Sequence, residues 1–402
     1  MSRRGIQSFQ PDRLAQILAG RRITQAELAA MVGISPGTVS KWCSGSQSPE
    51  RTALDRLASV VNVDPEWFTR PIRARLSMPL FRSNASSHKA ARSKLEVRIH
   101  WAQEIAEFLQ EFLDFPEIGI PTRAFTHPEE ISFEDIESAA WECRQLWGLG
   151  NGPIEDLALA IEGAGVVIVR EHTGIAKIEG LSAWSDSIKR PIVFLSSDKA
   201  NAYRSRFDLA HELGHLVLHS GIKEPSKPER HKEMEAQAHA FAGALLLPAE
   251  SYSAEIQLPV FLDDLLLLKR RWGVSVAAMV MRLAALDLLS AHEKTQVFKR
   301  ISARWGRKSE PGDSDRNAEY PRLLRRSIDL LVSEGVMPRE AIPRRIGLSE
   351  TDIESLAGLP EGYFRGRGDV VDLTRLRSKS RRGTRVDASG GSVVPFPGKR
   401  FG

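Results

Sequence analysis

Cysteine is almost absent from this chain: Cys43 and Cys143 are the two in 402 residues. A disulfide-stapled secreted fold is thereby excluded, and a reduced, cytoplasmic setting is expected. Long apolar runs are missing as well. None approaches the roughly 20 residues needed to cross a bilayer, so no membrane partner is expected. The opening MSRRGIQSFQPDRL has no apolar signal core, which disfavours a secreted protease. Neither charge dominates: 56 Lys and Arg against 51 Asp and Glu leave +5. That mild basic bias permits nucleic-acid binding without demanding it. What the chain does have is apolar content (42%) and length, enough for substantial cores and for more than one domain.

Residues 206–219 read RFDLAHELGHLVLH and contain H-E-x-x-H: His211, Glu212 and His215. Chance gives roughly 0.015 such motifs in a chain of this composition. On a helix, positions i and i+4 leave the same face one turn apart, so two imidazoles can grip one zinc ion. The carboxylate at i+1 then stands beside the open coordination position, where it can take a proton from water. Apolar flanks (Phe207, Leu209, Leu213, Leu216, Val217, Leu218) fit a buried helix. Gly214 is a poor helix former and implies close backbone packing. A catalytic zinc site wants three protein ligands and one open position. The next acidic helix is KEMEAQAHAFAGALLLP, residues 232–248, with an apolar stripe of Phe241, Leu245 and Leu246 and a stop at Pro248.

Glu235, Gln237, Ala238, Phe241, Ala242, Leu245, Leu246 and Pro248, about twenty residues after H-E-x-x-H, give this region a pattern that resembles the ImmA/IrrE family of metallopeptidases. The resemblance implies a Zn2+ ion held by His211, His215 and Glu235, with Glu212 as general base. Glu233 is the rival third ligand; two residues from Glu235, it points to roughly the opposite side of the helix, and only one of the two can face the metal. His219, four residues after His215, is either a donor to a substrate oxyanion or to a neighbour of the ligands, or a histidine at a helix end. Asp208 either orients His211 or occupies the first helical turn. His231 belongs to a charged loop. Upstream, PIEDLALAIEGAG is amphipathic and VVIVR is strand-like; GLSAWS (180–185) and PIVFLSS (191–197) read as two more strands joined by DSIKR. Zincins pair an extended peptide with an edge strand beside the active-site helix, and PIVFLSS is the expected edge.

Residues 10–68 carry an independent signal. Five short helices can be read: PDRLAQILAG, TQAELAAMVG, SPGTVSKWCSG, PERTALDRLASVV and DPEWFTR. Thr24 with Glu27 makes a capping box, Gly33 closes the second helix, and Ser35 caps the third with Pro36 at its first position. Thr24, Gln25, Leu28, Ala29, Gly33, Ile34, Ser35, Val39, Trp42, Gly45 and Pro49 closely resemble the XRE/Cro-type repressor family. The resemblance implies a lambda-repressor-like helix-turn-helix reading a double-stranded DNA operator as a homodimer. Ser35, Gly37, Thr38 and Lys41 would face bases, with Gln25 and Ser40 near phosphates. Leu28, Val39 and Trp42 are expected in the core.

The expected fold class is α+β, predominantly helical. The expected organisation is a helix-turn-helix domain over 8–70, a helical connector over 71–148, a metallopeptidase domain over 149–300, a small helical unit over 319–364 and a basic disordered tail over 365–402. Residues 91–148 read as strongly helical, with Trp101, Ile105, Phe108, Leu109, Phe112 and Leu113 as core. Residues 262–290 read as two helices broken at Trp272–Gly273, and 306–318 as a polar linker. AIPRRIGLSETDIESL could pass for a second helix-turn-helix but lacks a convincing recognition helix. Two functions are weighed. One is a DNA-binding regulator whose zinc endopeptidase cleaves a partner repressor or toxin-linked regulator, or the chain itself. The other is a non-catalytic repressor or antitoxin that keeps the zincin fold as a sensor or scaffold. An intact Glu212 favours the first.

Overall fold

Helix punctuation in the sequence accounts for most of the architecture. The computed structural model describes residues 5–72, 80–81, 89–174, 179–198, 201–223, 225, 227–306 and 309–365. Most of the basic connector, and the tail beyond Arg365, lie outside these. The described residues up to Phe364 belong to one compact unit.

The N-terminal helices are α1 (Pro11–Arg21), α2 (Gln25–Val32), α3 (Pro36–Cys43) and α4 (Arg51–Val60). Thr24 and Glu27 form the capping box on α2, and Gly33 ends it in the left-handed region at φ 74°. Ser35 then caps α3 through the Thr38 N–H. Of the five helices expected here, the last is instead a 3-10 turn, Pro65–Thr69. A single turn suffices there because Trp67 and Phe68 are both fully buried and hold it by packing.

The rest of the unit comprises β1 (Leu80–Phe81), α5 (Lys89–Gln110), α6 (Phe133–Leu146), α7 (Leu157–Gly163), β2 (Val167–Glu171), β3 (Gly180–Ser185), β4 (Arg190–Ser196), α8 (Ala202–Leu218), α9 (Pro228–Leu246), α10 (Ala249–Ser253), α11 (Leu262–Trp272), α12 (Val276–Ala285), α13 (Ala291–Trp305), α14 (Leu323–Ser333), α15 (Ala341–Ile346) and α16 (Glu350–Ala357). The helical reading of 91–148 holds only at its two ends. Pro116 and Pro121 fall in the irregular stretch between α5 and α6, where they cannot donate to a helical ladder. Gly273, at φ 67°, breaks α11 from α12 as expected.

The strands form one sheet in the order β1-β3-β4-β2, with β2 parallel to β4 and the other pairs antiparallel. PIVFLSS is therefore not the edge beside the active-site helix. Its apolar residues are buried on both faces, so β4 sits inside the sheet, and β3 takes the position next to α8. Side chains alternate across the sheet with period two. Val167, Val169, Leu181, Ile192 and Phe194 join one core with α5, α14–α16 and the N-terminal helices. Ile168, Val193 and Leu195 join a second core built on α6–α9 and α11–α13.

Buried charges tie these layers together. Arg98 on α5 donates to Glu171 and Asp352, and Asp352 also accepts from Arg21 of α1 at 2.7 Å. Burial works to raise the Asp352 carboxyl, but Arg98 and Arg21 outweigh it and hold it below the usual range. Residues 309–318 are more than a linker. Lys269, 1% exposed, donates to Glu310 and Asp313, while Glu310 accepts from the N–H groups of Val276 and Ala277 at the start of α12. The second helix-turn-helix-like phrase does fold as helix, left-handed Gly347 and helix. However, α16 buries Asp352, Ile353, Glu354, Leu356 and Ala357 against its neighbours, so it presents no groove-reading face.

Glu162 supplies a pH-dependent contact. It accepts from the Arg322 and Leu323 N–H groups at the start of α14, and burial pushes its carboxyl up to about 7. A raised carboxyl binds a proton in the folded state before the unfolded chain does. Its contribution is therefore full near pH 4.5 and is lost as pH rises through about 7. Glu162→Gln should remove that loss. Urea unfolding of variant and wild type, compared at about pH 5 and about pH 8, should show the variant gaining up to ~3 kcal/mol relative to wild type at the higher pH.

Candidate metal centre and DNA-reading helix

The centre depends on two helices that approach closely. α8 begins at Asn201, whose side-chain oxygen accepts the Arg204 N–H at 3.0 Å. α9 begins at Pro228, whose missing donor costs nothing in the first turn. They meet at Gly214, where a Cβ would lie 3.1 Å from the Phe241 ring and 3.2 Å from the Ala238 Cα. The absence of a side chain there sets how near α9 can bring its own residues.

His211 and His215 leave α8 on one face, with their Nε2 atoms 3.1 Å apart and both residues 2% exposed. From α9, Glu235 places one carboxylate oxygen 3.5 Å from His211 Nε2 and the other 3.3 Å from His215 Nε2. Ligand bonds of about 2.0–2.1 Å in a tetrahedron set neighbouring donor atoms about 3.3–3.4 Å apart. The observed triangle matches that spacing, and two nitrogens with a carboxylate are a zinc donor set. The three residues thus fit the metal that H-E-x-x-H implies. Glu235, rather than Glu233, is the carboxylate that faces the imidazoles. His215 holds the Glu235 carboxyl below its usual range against the opposing effect of burial, with smaller help from His231 and His239.

His239, which the sequence left without a role, joins the group. Its ring lies 4.4 Å from that of His211, and its Nδ1 donates to the Glu235 carbonyl at 2.7 Å, leaving Nε2 as the acceptor nitrogen. His211, Glu235 and His239 form a second possible ligand triangle. The spacing from Glu235 to His239, one helical turn, was the available signal.

A relay behind His215 decides which of its nitrogens points at the centre. The Gln237 amide nitrogen donates to the Pro128 carbonyl at 2.7 Å, so its oxygen must face His219. His219 Nε2 donates to that oxygen at 3.0 Å. Burial and the neighbouring His215 push His219 down to about 3, so its ring is neutral and its Nδ1 accepts. His215 Nδ1 then donates to it at 2.9 Å, which turns His215 Nε2 toward the centre. His219 is thus both the histidine at the end of α8 and the neighbour that backs His215. Gln237 stood in the sequence pattern without a role, and Pro128 carried no signal at all.

Glu212 lies on the sheet side of α8 and is 2% exposed. A Cβ on Gly180, the first residue of β3, would fall 2.5 Å from its Oε1. Glycine at that point is what lets the carboxylate rest against the strand.

The residues expected to face DNA lie in the N-terminal helices. Gln25, Ser35, Gly37, Ser40 and Lys41 are exposed and Thr38 is half-buried, while Leu28, Val39 and Trp42 are in the core. The Ser35 hydroxyl is engaged with Thr38, by its cap and by an Oγ–Oγ1 contact of 2.9 Å. Lys41 is the long cation of this surface.

The family model for the IrrE N-terminal-like domain matches residues 161–284, and the helix-turn-helix model matches residues 14–68. No curated protein matches the chain. Among the described residues, no helix is long and apolar enough to cross a membrane. The first match spans β2 to α12 and contains all of the converging residues; the second spans α1 to the buried 3-10 turn. The chain therefore joins an XRE/Cro-type DNA-binding helix-turn-helix to a domain of the ImmA/IrrE metallopeptidase family.

Proposed function

We propose that this chain is a cytoplasmic transcriptional regulator whose second domain is a zinc endopeptidase acting on a partner repressor or on the chain itself. The observation that carries the reading is the meeting of His211 Nε2, His215 Nε2 and Glu235 at tetrahedral spacing, with Glu212 beside them on the strand side. A zinc ion held by these three residues would supply the Lewis acidity that amide hydrolysis needs. Glu212 takes the proton of the attacking water and returns it to the leaving amine nitrogen. His219 keeps His215 in the tautomer that presents Nε2. β3 offers main-chain groups along which an extended peptide can lie.

The N-terminal domain reads a duplex operator through α3, with Lys41, Ser35, Gly37 and Thr38 toward bases and Gln25 and Ser40 toward phosphates. Two copies pair on a two-fold site. A DNA-binding module argues against a general degradative protease, since specificity for DNA would serve no purpose there.

The enzyme and scaffold readings separate on Glu212. The purified chain should hold about one zinc per molecule by atomic emission, and Glu235→Ala should lose most of it. Glu212→Gln should keep the zinc and lower cleavage of a co-encoded regulator by about a hundredfold or more. Metal bound with no turnover in either chain would leave the non-catalytic repressor or antitoxin standing. On the DNA side, Lys41→Ala should weaken operator binding by about tenfold in a mobility-shift titration, corresponding to ~1–3 kcal/mol, with zinc content unchanged. Loss of both together would mean that the two functions do not separate.

A further inference from the structure

β3 has two sides. One is paired along its length with β4, and the other would take an extended peptide beside Glu212. That second side is already in use. β1, two residues from the segment that joins the N-terminal helices to α5, runs antiparallel to β3 with Leu80 opposite Ser182 and Phe81 opposite Leu181. One residue beyond Leu181 on β3 is Gly180, the position whose missing side chain makes room for the Glu212 carboxylate. The pairing thus reaches to within one register position of the strand residue against which Glu212 rests.

We propose that Leu80–Phe81 is an intramolecular occupant of the peptide-binding edge, so that an extended substrate segment joins β3 only by displacing it. This rests on the peptidase reading for the identity of that edge. The occupant is short, and a two-residue ladder is easily exchanged. Its tether nevertheless gives it an effective concentration on the order of millimolar, which a free peptide at micromolar concentration does not overcome. The site is therefore closed to casual peptides and opens to a partner that brings its own strand with additional docking contacts.

The test uses the zinc-loaded full chain carrying Glu212→Gln, which prevents turnover. The probe is a fluorescein-labelled peptide with the sequence of residues 75–88, RLSMPLFRSNASSH. Leu80→Pro with Phe81→Pro removes the N–H donors of β1. Fluorescence anisotropy should show the double-proline chain binding the probe at least tenfold more tightly than its parent, with melting temperature and zinc content preserved. Equal affinity, or no binding by either chain, would overturn the proposal. Should the double-proline chain not fold, hydrogen exchange of the parent decides. Consecutive strand residues send their N–H groups to opposite sides, so Leu181 and Ser182 are both protected only if β1 and β4 are both paired to β3. Fast exchange of either amide overturns the proposal. The two readings fail differently. If the peptidase reading fails, the probe binds the freed edge, yet the co-encoded regulator stays uncut when Glu212 is restored. If the present one fails, a regulator is cut equally well with and without the two prolines.

Discussion

The close approach of α8 and α9 at Gly214 is the constraint on which the centre depends. The candidate ligands come from two helices, and carboxylate and imidazole converge there because the helix backbones approach closely at Gly214. Phe241 and Ala238 fill the place where a side chain at 214 would project. Even an added methyl group there would press on Phe241 and Ala238 and push α9 away from the imidazoles. The packing is thus part of the chemistry: the apolar core of α8 and α9 is what holds three polar groups against one another.

Burial has a cost that the surrounding groups offset in different ways. Glu235 stays ionised because imidazoles face it. His219 stays neutral because burial and the neighbouring His215 disfavour its charged form, and its neutrality leaves Nδ1 to accept from His215. Lys269 and Asp352, both buried, are each held by two opposite charges. In these last two cases the partners lie far away in sequence, so the ion pairs join α11 to residues 310–313 and α1 to α5 and α16. The Arg21–Asp352–Arg98 cluster links the DNA-reading end of the chain to helices packed on the sheet, which gives the N-terminal helices a fixed seat on the peptidase-family domain.

Much of this was legible in the residues. H-E-x-x-H on an apolar helix, the capping box at Thr24, the glycine at 33 and the β-branched runs each announce local structure through short-range chemistry, and they appear where expected. Glu235 was legible through its helix, but the choice between it and Glu233 was left to the packing of α9 on α8. The misplaced edge strand has a physical reason: a fully apolar run is compatible with any interior position in a sheet, and only hydrogen-bond partners choose the neighbour. The irregular segment between α5 and α6 was missed because its apolar spacing outweighed its three prolines. His239 had only its one-turn spacing from Glu235 to mark it, and the Gln237–Pro128 relay depends on contacts across helices and loops, for which a linear pattern holds no measure.

The sequence by itself determined the parts: two imidazoles and a carboxylate at helical spacing, a capped helix pair with an exposed lysine, and the apolar stripes that bury each. These are properties of residues within a few turns of one another, where backbone geometry sets which side chains share a face. Tertiary structure alone decided which carboxylate meets the histidines, which nitrogen of His215 faces inward, and that β3 rather than β4 lies beside Glu212 with β1 along its open side. Those outcomes turn on pairings between segments far apart in the chain, and such pairings are settled by packing and hydrogen-bond satisfaction of the whole.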